Sequence, residues 1–256
     1  MRRLLLVLAV LGVSLVPLAH AVTNGEPDDG AHPYVGLVGF YDAGDTYVQR
    51  CSGTLISTTV FLTAAHCTVS DTGAQLRRAR VWFEDVVPPG ALSTKVGGVG
   101  GTVFAHPGFA GLASLPDTND IAVVVLDGPV TTQGVATLPA IDLLAGAGTK
   151  GTALTLVGYG NVSKSETGDR TRRRATAKLA DLTGKQTAGI NLKTKPGKDG
   201  GTFCFGDSGG PVLLGETDVV VALNSLVKQS CKGAALSFRV DTAAAQAFLA
   251  PFLGAG

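Results

Sequence analysis

No histidine follows residue 106, no two cysteines stand at C-x-x-C spacing, and neither sign of charge dominates the chain. Each of these gaps removes a class of function. Scattered histidines and widely spaced cysteines argue against a structural zinc site, so no metal and no cofactor is expected. With 21 Lys and Arg against 20 Asp and Glu, nothing forms the basic stripe that nucleic-acid binding requires. Aromatics make up only 6% of the residues, with one tryptophan and one methionine, so a core has to be built from Val, Leu, Ile and Ala. At 45% hydrophobic residues over 256 positions, that core can be large, and disorder is excluded.

Long apolar runs are also missing beyond the first 21 residues. Those begin with Arg2 and Arg3, continue through an apolar stretch from Leu4 to Val16, and close on Ala19-His20-Ala21. Thirteen apolar residues fall short of the roughly 20 that span a bilayer, so the segment reads as a cleaved secretory signal and not as an anchor. The expected product is a secreted, extracellular chain with no membrane association, 22–256. Its removal leaves 19 basic against 20 acidic residues. The one basic cluster, Arg170 with Arg172-Arg173-Arg174, is expected to be a solvated loop.

Export exposes the four cysteines, Cys51, Cys67, Cys204 and Cys231, to oxidising conditions, and two disulfides are expected. Three pairings are open. The nearest-neighbour choice, Cys51 with Cys67 and Cys204 with Cys231, closes two short loops, each worth about 2–4 kcal/mol.

The mature chain reads as strands. Short β-branched or apolar runs recur at Tyr34–Phe40, Thr54–Ile56, Val60–Ala64, Arg80–Val87, Thr102–Ala105, Ile121–Leu126, Ala153–Val157, Ala175–Leu182, Pro211–Leu214, Val219–Leu223 and Leu236–Val240. Gly, Pro, Asp or Asn separates most of them, the pattern of all-β sandwiches and barrels. The segment Gly128–Gly148 is the best candidate for a linker between two β units. Only "DTAAAQAFLAPFL" departs from this: Asp241 is expected to cap a helix with Phe248 and Leu249 on one side, its last turn weakened by Pro251.

The stretch "TFCFGDSGGPV" sets Asp207 and Ser208 side by side among glycines. A polar surface turn is the ordinary reading of such residues. Catalysis by Ser208 needs a histidine to take its proton and a carboxylate to orient that histidine. The same glycines satisfy G-x-S-x-G, but the α/β-hydrolases that carry it place their histidine after the serine, and here His32, His66 and His106 all precede it. His66, in "LTAAHC", follows an apolar run and adjoins Cys67, which can fix its loop. Asp120, in "TNDIAVVVL", heads the most apolar strand, where an unpaired carboxylate is costly. A histidine facing it satisfies both groups, and the chain order becomes His, Asp, Ser.

"TAAHC" around His66, "HPGF" at His106–Phe109, "NDIAVVVL" around Asp120, "GYG" at Gly158–Gly160 and "CFGDSGGPV" around Ser208 together resemble the chymotrypsin and trypsin family of secreted serine proteases. The resemblance implies an all-β fold of two six-stranded antiparallel β-barrels with a C-terminal α-helix. The first barrel would cover about 22–130, the second about 145–240 and the helix about 242–253. It implies His66 as general base and acid, Asp120 as orienter, Ser208 as nucleophile, and the N–H groups of Gly206 and Ser208 as the oxyanion donors. Asp207 would turn inward to pair with a freed α-amine. "VTNG" after Ala21 resembles the start of an active member, so Val22 is the expected partner, with Thr23 and Asn24 as departures from the pattern.

The resemblance also places the selectivity pocket. Thr202, six residues before Ser208, stands at its base where an aspartate would favour Lys or Arg, and Asp199 is displaced by three residues. Ser225, Leu226 and Val227 fit the strand that binds substrate backbone, with Val227 narrowing the pocket and Ala235 on a second wall. Cleavage after small or medium apolar residues is expected, on protein or peptide substrates, by a monomer. A catalytically silent binding protein on the same scaffold, a secreted esterase using the same triad, and a structural matrix component are the alternatives.

Overall fold

The structure, a computed structural model, describes residues 22–147, 150–162, 170–197, 200–228 and 230–254. Residues 1–21, expected to be a secretory signal, and Asp199 lie outside them. Among the described residues, thirteen strands run in chain order as β1 (Glu26–Pro27), β2 (Val35–Tyr41), β3 (Tyr47–Leu55), β4 (Val60–Thr63), β5 (Arg78–Trp82), β6 (Val99–Ala105), β7 (Ala122–Leu126), β8 (Ala153–Gly158), β9 (Arg173–Asp181), β10 (Asn191–Pro196), β11 (Pro211–Leu214), β12 (Val220–Val227) and β13 (Ala235–Arg239). Three helices join them, α1 (Ala91–Thr94), α2 (Leu143–Ala147) and α3 (Ala243–Leu253).

Strands β2-β3-β4-β7-β6-β5 close into a six-stranded antiparallel barrel, sealed by β5 on β2. Strands β9-β10-β13-β12-β11-β8 form the second, sealed by β8 on β9. Full closure leaves neither barrel with an unpaired edge. Residues 127–152 carry the chain from one barrel to the other, and Thr137 bridges back to Val219 on the way.

Two strands were not legible as such. β10 reads "NLKTKP", with lysines interleaved and no apolar run, yet it pairs with β9 and β13 and buries Leu192 and Thr194. β3 begins seven residues before its apolar end, because "YVQRC" borrows its regularity from pairing with β2. The N-terminal residues also part from the expected division: Thr23 bridges Thr202 and β1 pairs with β9, so 22–27 lie along the second barrel, not the first.

One core fills the first barrel and continues across the junction to Val157, Tyr159, Leu213, Leu223 and Phe238 and to Leu249 of α3. A second, with Leu156, Leu192, Phe203, Val212 and Ala222, fills the other barrel and takes in Val22. Trp82 is buried in the first, and its indole N–H donates to the Val96 carbonyl at 2.9 Å, as a buried tryptophan requires.

Two sequence expectations are corrected here. Asp241 does not cap α3: its carboxylate is fully buried, held by the Arg239 guanidinium through two 2.8 Å bonds and by the Leu144 N–H at 2.7 Å. Thr242 caps instead, its hydroxyl accepting from the Ala245 N–H. The arginine cluster is not a solvated loop either, since Arg172 is 2% and Arg173 8% exposed. Arg172 donates to the Asp28 carboxylate at 2.9 Å, to the Val35 and Phe83 carbonyls at 3.1 and 3.0 Å and to the Tyr159 hydroxyl at 3.1 Å, and it meets Asp85 as well. It joins the N-terminal segment and both barrels at one point. A charge that finds this many acceptors tolerates burial that an isolated charge run does not.

Candidate active site

Strand β4 is buried throughout and delivers the chain into a short 3-10 turn, Ala65–Thr68. The disulfide between Cys67 and Cys51 of β3 ties that turn to the barrel wall. It presents His66 at the junction. The His66 backbone N–H donates to Asp120 Oδ1 at 2.8 Å, and its ring Nδ1 lies 2.8 Å from Oδ2. Asp120 is fully buried just ahead of β7, and Ser225 of β12 gives it a third bond, Oγ to Oδ2 at 2.5 Å. An ionised carboxylate only accepts, so Nδ1 carries the proton and Nε2 keeps its lone pair.

The electrostatics follow from that contact. Burial alone would push the Asp120 carboxyl up, but the His66 charge and the bonds from His66 and Ser225 outweigh it and hold the group below its usual range. Burial alone would likewise pull the imidazole down. The Asp120 charge and hydrogen bond overcome that and raise it above its ordinary value of 6.5.

Ser208 reaches the same junction from the second barrel. The Ser52 N–H of β3 donates to the Ser208 carbonyl at 2.9 Å. Gly209, at φ +76°, packs so tightly on the chain before His66 that a Cβ there would stand 2.6 Å from the Ser52 carbonyl and 2.7 Å from the Ala64 nitrogen. Only glycine permits this approach. The Ser208 side chain is half-buried, and among the described residues its hydroxyl makes no hydrogen bond. The link from His66 to Asp120 is therefore made; Nε2 lies 3.7 Å from the Cys67 sulfur, and among the described residues no bond joins it to Ser208.

The loop's amides divide in an informative way. The N–H groups of Asp207, Gly209 and Gly210 donate to the carbonyls of Cys204, Asn224 and Asp207 at 3.1, 2.8 and 2.9 Å. Those of Gly206 and Ser208 donate to no protein acceptor among the described residues. Ser52, which sequence reasoning passed over, holds this loop in place. Its hydroxyl accepts from the Tyr159 N–H at 2.9 Å and donates to the Gly206 carbonyl at 2.8 Å.

Asp207 turns inward and is fully buried, accepting from the N–H groups of Gly160 at 2.7 Å and Cys204 at 2.9 Å. Gly160 has no side chain where a Cβ would stand 2.4 Å from the Asp207 carboxyl carbon, which accounts for the second glycine of "GYG". Burial pushes the carboxyl up to about 6, against the pull of those two N–H groups and the Arg50 charge. Among the described residues no cation bonds to it. Val22 is buried as well, and with Ala21 attached its nitrogen is an amide.

Of the pocket residues, Thr202, Ser225 and Ala235 are buried and Leu226 and Val227 half-buried. Val227 lies directly across from Ala235 in the β12–β13 ladder. The Ser225 side chain serves Asp120. The disulfide between Cys204 and Cys231 ties the Ser208 loop to the segment after β12. The Cys51 and Cys67 sulfurs lie within 4.8 Å of the His66 ring, but they are bonded to each other and offer no thiolate to a metal.

The sequence model of the Trypsin family matches residues 22–248. The chain belongs to the trypsin family. Trypsin alpha-4 of Lucilia cuprina is 30% identical over 179 residues, covering 65% of this chain and 64% of that protein. Trypsin of Saccharopolyspora erythraea is 32% identical over 174 residues, 65% of this chain and 71% of the other. The CLIP domain-containing serine protease B15 of Anopheles gambiae is 28% identical over 230 residues, covering 77% of this chain and 58% of its own length. The chain thus spans under two thirds of the Lucilia and Anopheles proteins. A solved structure of HL collagenase superposes with a TM-score of 0.72, covering 92% of this chain and all of that one at 21% identity, a likeness of fold. Within this trypsin-family frame, the motifs around His66, Asp120 and Ser208 converge on the junction of the two barrels, and Ser52 and Arg172 are the supports that no motif announced.

Proposed function

We propose that this trypsin-family chain is a secreted serine endopeptidase that hydrolyses protein or peptide substrates through an acyl-enzyme on Ser208. The observation that carries the proposal is the orientation of His66. Its Nδ1 proton is committed to a buried Asp120, which leaves the Nε2 lone pair to take a proton from Ser208, whose loop meets the chain before His66 at Gly209.

The chemistry then runs in balanced steps. Nε2 takes the Ser208 proton as Oγ attacks the scissile carbonyl, and the resulting oxyanion sits against the Gly206 and Ser208 N–H groups. Each such donor is worth about 3–4 kcal/mol at the transition state. The imidazolium returns its proton to the leaving amine, the acyl group stays on Oγ, and water repeats the sequence to release the acid. Asp120 stays ionised throughout and steadies the imidazolium.

Cleavage of the signal at Ala21 would free the amine of Val22, a residue of the second-barrel core, to pair with the buried Asp207 carboxylate, to which no cation bonds among the described residues. Their union would complete the oxyanion site, so export itself activates the enzyme. Two disulfides suit an oxidising compartment. Val227 and Ala235 set a short pocket over Thr202 and support small or medium side chains before the cut bond, apolar on those walls alone. The test is turnover of a peptide amide and of the matching ester by the secreted protein and by Ser208→Ala. Amide cleavage lost in Ser208→Ala supports the proposal; ester turnover alone makes the protein an esterase; turnover of neither makes it a binder.

A further inference from the structure

We infer that Ser52 is a positioning residue of this reaction: from β3 of the first barrel it holds, through its hydroxyl and its N–H, the two second-barrel residues whose amides are to receive the oxyanion. The inference rests on the serine-protease reading and adds to it the side chain that keeps those amides aimed.

A backbone N–H points where its peptide plane points, and a plane is held by whatever its carbonyl meets. The Gly206 N–H shares a plane with the Phe205 carbonyl, which accepts from the Asn161 N–H at 2.8 Å. The Ser208 N–H shares one with the Asp207 carbonyl, which accepts from the Gly210 N–H at 2.9 Å. The plane that follows each donor residue is held at both edges. After Gly206, the carbonyl accepts from the Ser52 hydroxyl at 2.8 Å, and the Asp207 N–H donates to the Cys204 carbonyl at 3.1 Å. After Ser208, the carbonyl accepts from the Ser52 N–H at 2.9 Å, and the Gly209 N–H donates to the Asn224 carbonyl at 2.8 Å. Ser52 supplies one edge in both cases. Each donor N–H is thus one Cα away from a plane that Ser52 fixes.

The hydroxyl is fully committed to this task. It accepts from the Tyr159 N–H at 2.9 Å, which leaves its own proton for the Gly206 carbonyl, and Ser52 is fully buried. Two glycines make room for it: a Cβ on Gly158 would stand 3.1 Å from its Oγ, and one on Gly210 would stand 3.2 Å from its Cβ. Gly206, at φ +95°, has the freest torsions in the loop, so the donor that most needs an outside partner is the one the hydroxyl reaches. The residue before Ser52 is Cys51, whose disulfide to Cys67 fixes the turn that carries His66. Neighbouring residues of one strand therefore set the base and the donors in a common frame.

A loosened donor costs most where charge develops on the oxygen, in the transition state, and little in substrate binding. Ser52→Ala is expected to lower kcat about tenfold, the worth of one neutral hydrogen bond, with KM within about twofold. That loss is smaller than the hundredfold or more, on the order of magnitude known for removing a donor outright. A peptide aldehyde, whose adduct with Ser208 places an oxyanion at the same amides, is expected to bind about tenfold more weakly. Ser52→Gly opens space for one water between the Tyr159 N–H and the Gly206 carbonyl, and its kcat is expected to fall between those of Ser52→Ala and wild type.

The test measures kcat, KM and aldehyde affinity on the peptide p-nitroanilide that the secreted wild type cleaves fastest. Rates are taken per mole of Ser208 that takes a fluorophosphonate label, so unfolded protein does not enter them. A wild-type kcat in Ser52→Ala overturns the inference. So does a Ser52→Gly enzyme slower than Ser52→Ala, the order that lost packing alone produces. Should Ser52→Ala not fold, Ser52→Gly with a lowered kcat and an unchanged KM supports the inference, and both unchanged sinks it. Either failure leaves the protease reading standing, whereas a wild-type Ser208 that takes no label removes both.

Discussion

Asp120 has to stay ionised with none of its surface exposed, and three donors make that possible. The consequence is visible in pH. His66, the base of the proposed mechanism, accepts a proton only when neutral, and Asp120 raises its pKa above 6.5, so kcat/KM is expected to rise with pH through an acid limb above that value. Asp120→Asn removes what raises the imidazole: the limb should move to lower pH, and kcat should fall by roughly ten-thousand-fold, the loss the family's template sets. A pH–rate profile of both proteins checks it, and an unmoved limb would count against the pairing. At this scale the motifs were readable because each is a contiguous run that names its own residue type. Ser225 was read only as backbone, and Ser52 not at all, since their hydroxyls act on residues 105 and more than 100 positions away.

Element by element, burial sorts what could be read from what could not. Strands such as β2 and β7, buried almost throughout, announce themselves as apolar runs. β10 does not, because its lysines project from a barrel wall that only tertiary pairing defines. Arg172 belongs to the same class: four arginines in five positions look like surface until the acceptors that face one of them are known. Burial pushes the Asp28 carboxyl up, but the bonds and charge of His32 and the Arg172 bond outweigh it and lower its pKa below 3.8. A carboxylate with a depressed folded pKa contributes stability above its unfolded pKa, lost as pH falls through the folded value. Arg172→Met is therefore expected to cost about 3–5 kcal/mol in urea unfolding at neutral pH, and less in acid where Asp28 is protonated. A loss under 1 kcal/mol would mean that the junction does not depend on this side chain. The Asp241 misreading has the same root, since nothing local tells a capping acid from one claimed by Arg239.

For the molecule as a whole, the state of the N-terminus sets the sign of a pH effect. In the chain that keeps residues before Val22, burial raises Asp207 from 3.8 to about 6. A group raised in the fold binds protons there that the unfolded chain has released, so stability falls as pH climbs from about 4 to 6, by about 3 kcal/mol for a two-unit shift. Asp207→Asn should abolish that fall in the extended chain, as measured by urea unfolding at pH 4 and 7. With the Val22 amine free and paired, the trend attributable to Asp207 should reverse. If extended and mature chains respond alike, the two groups do not meet. The two-barrel architecture could be expected because the motifs span the chain in family order, whereas the course of 22–27 along the second barrel depends on contacts with residues nearly 150 or more positions away.

The most direct measurement is covalent labelling of the secreted protein with a fluorophosphonate, followed by mass spectrometric location of the adduct and sequencing of the N-terminus. The adduct is expected on Ser208 alone, in chains beginning at Val22, and is expected to vanish in His66→Ala. Labelling on another residue, or none in correctly processed protein, would contradict the account.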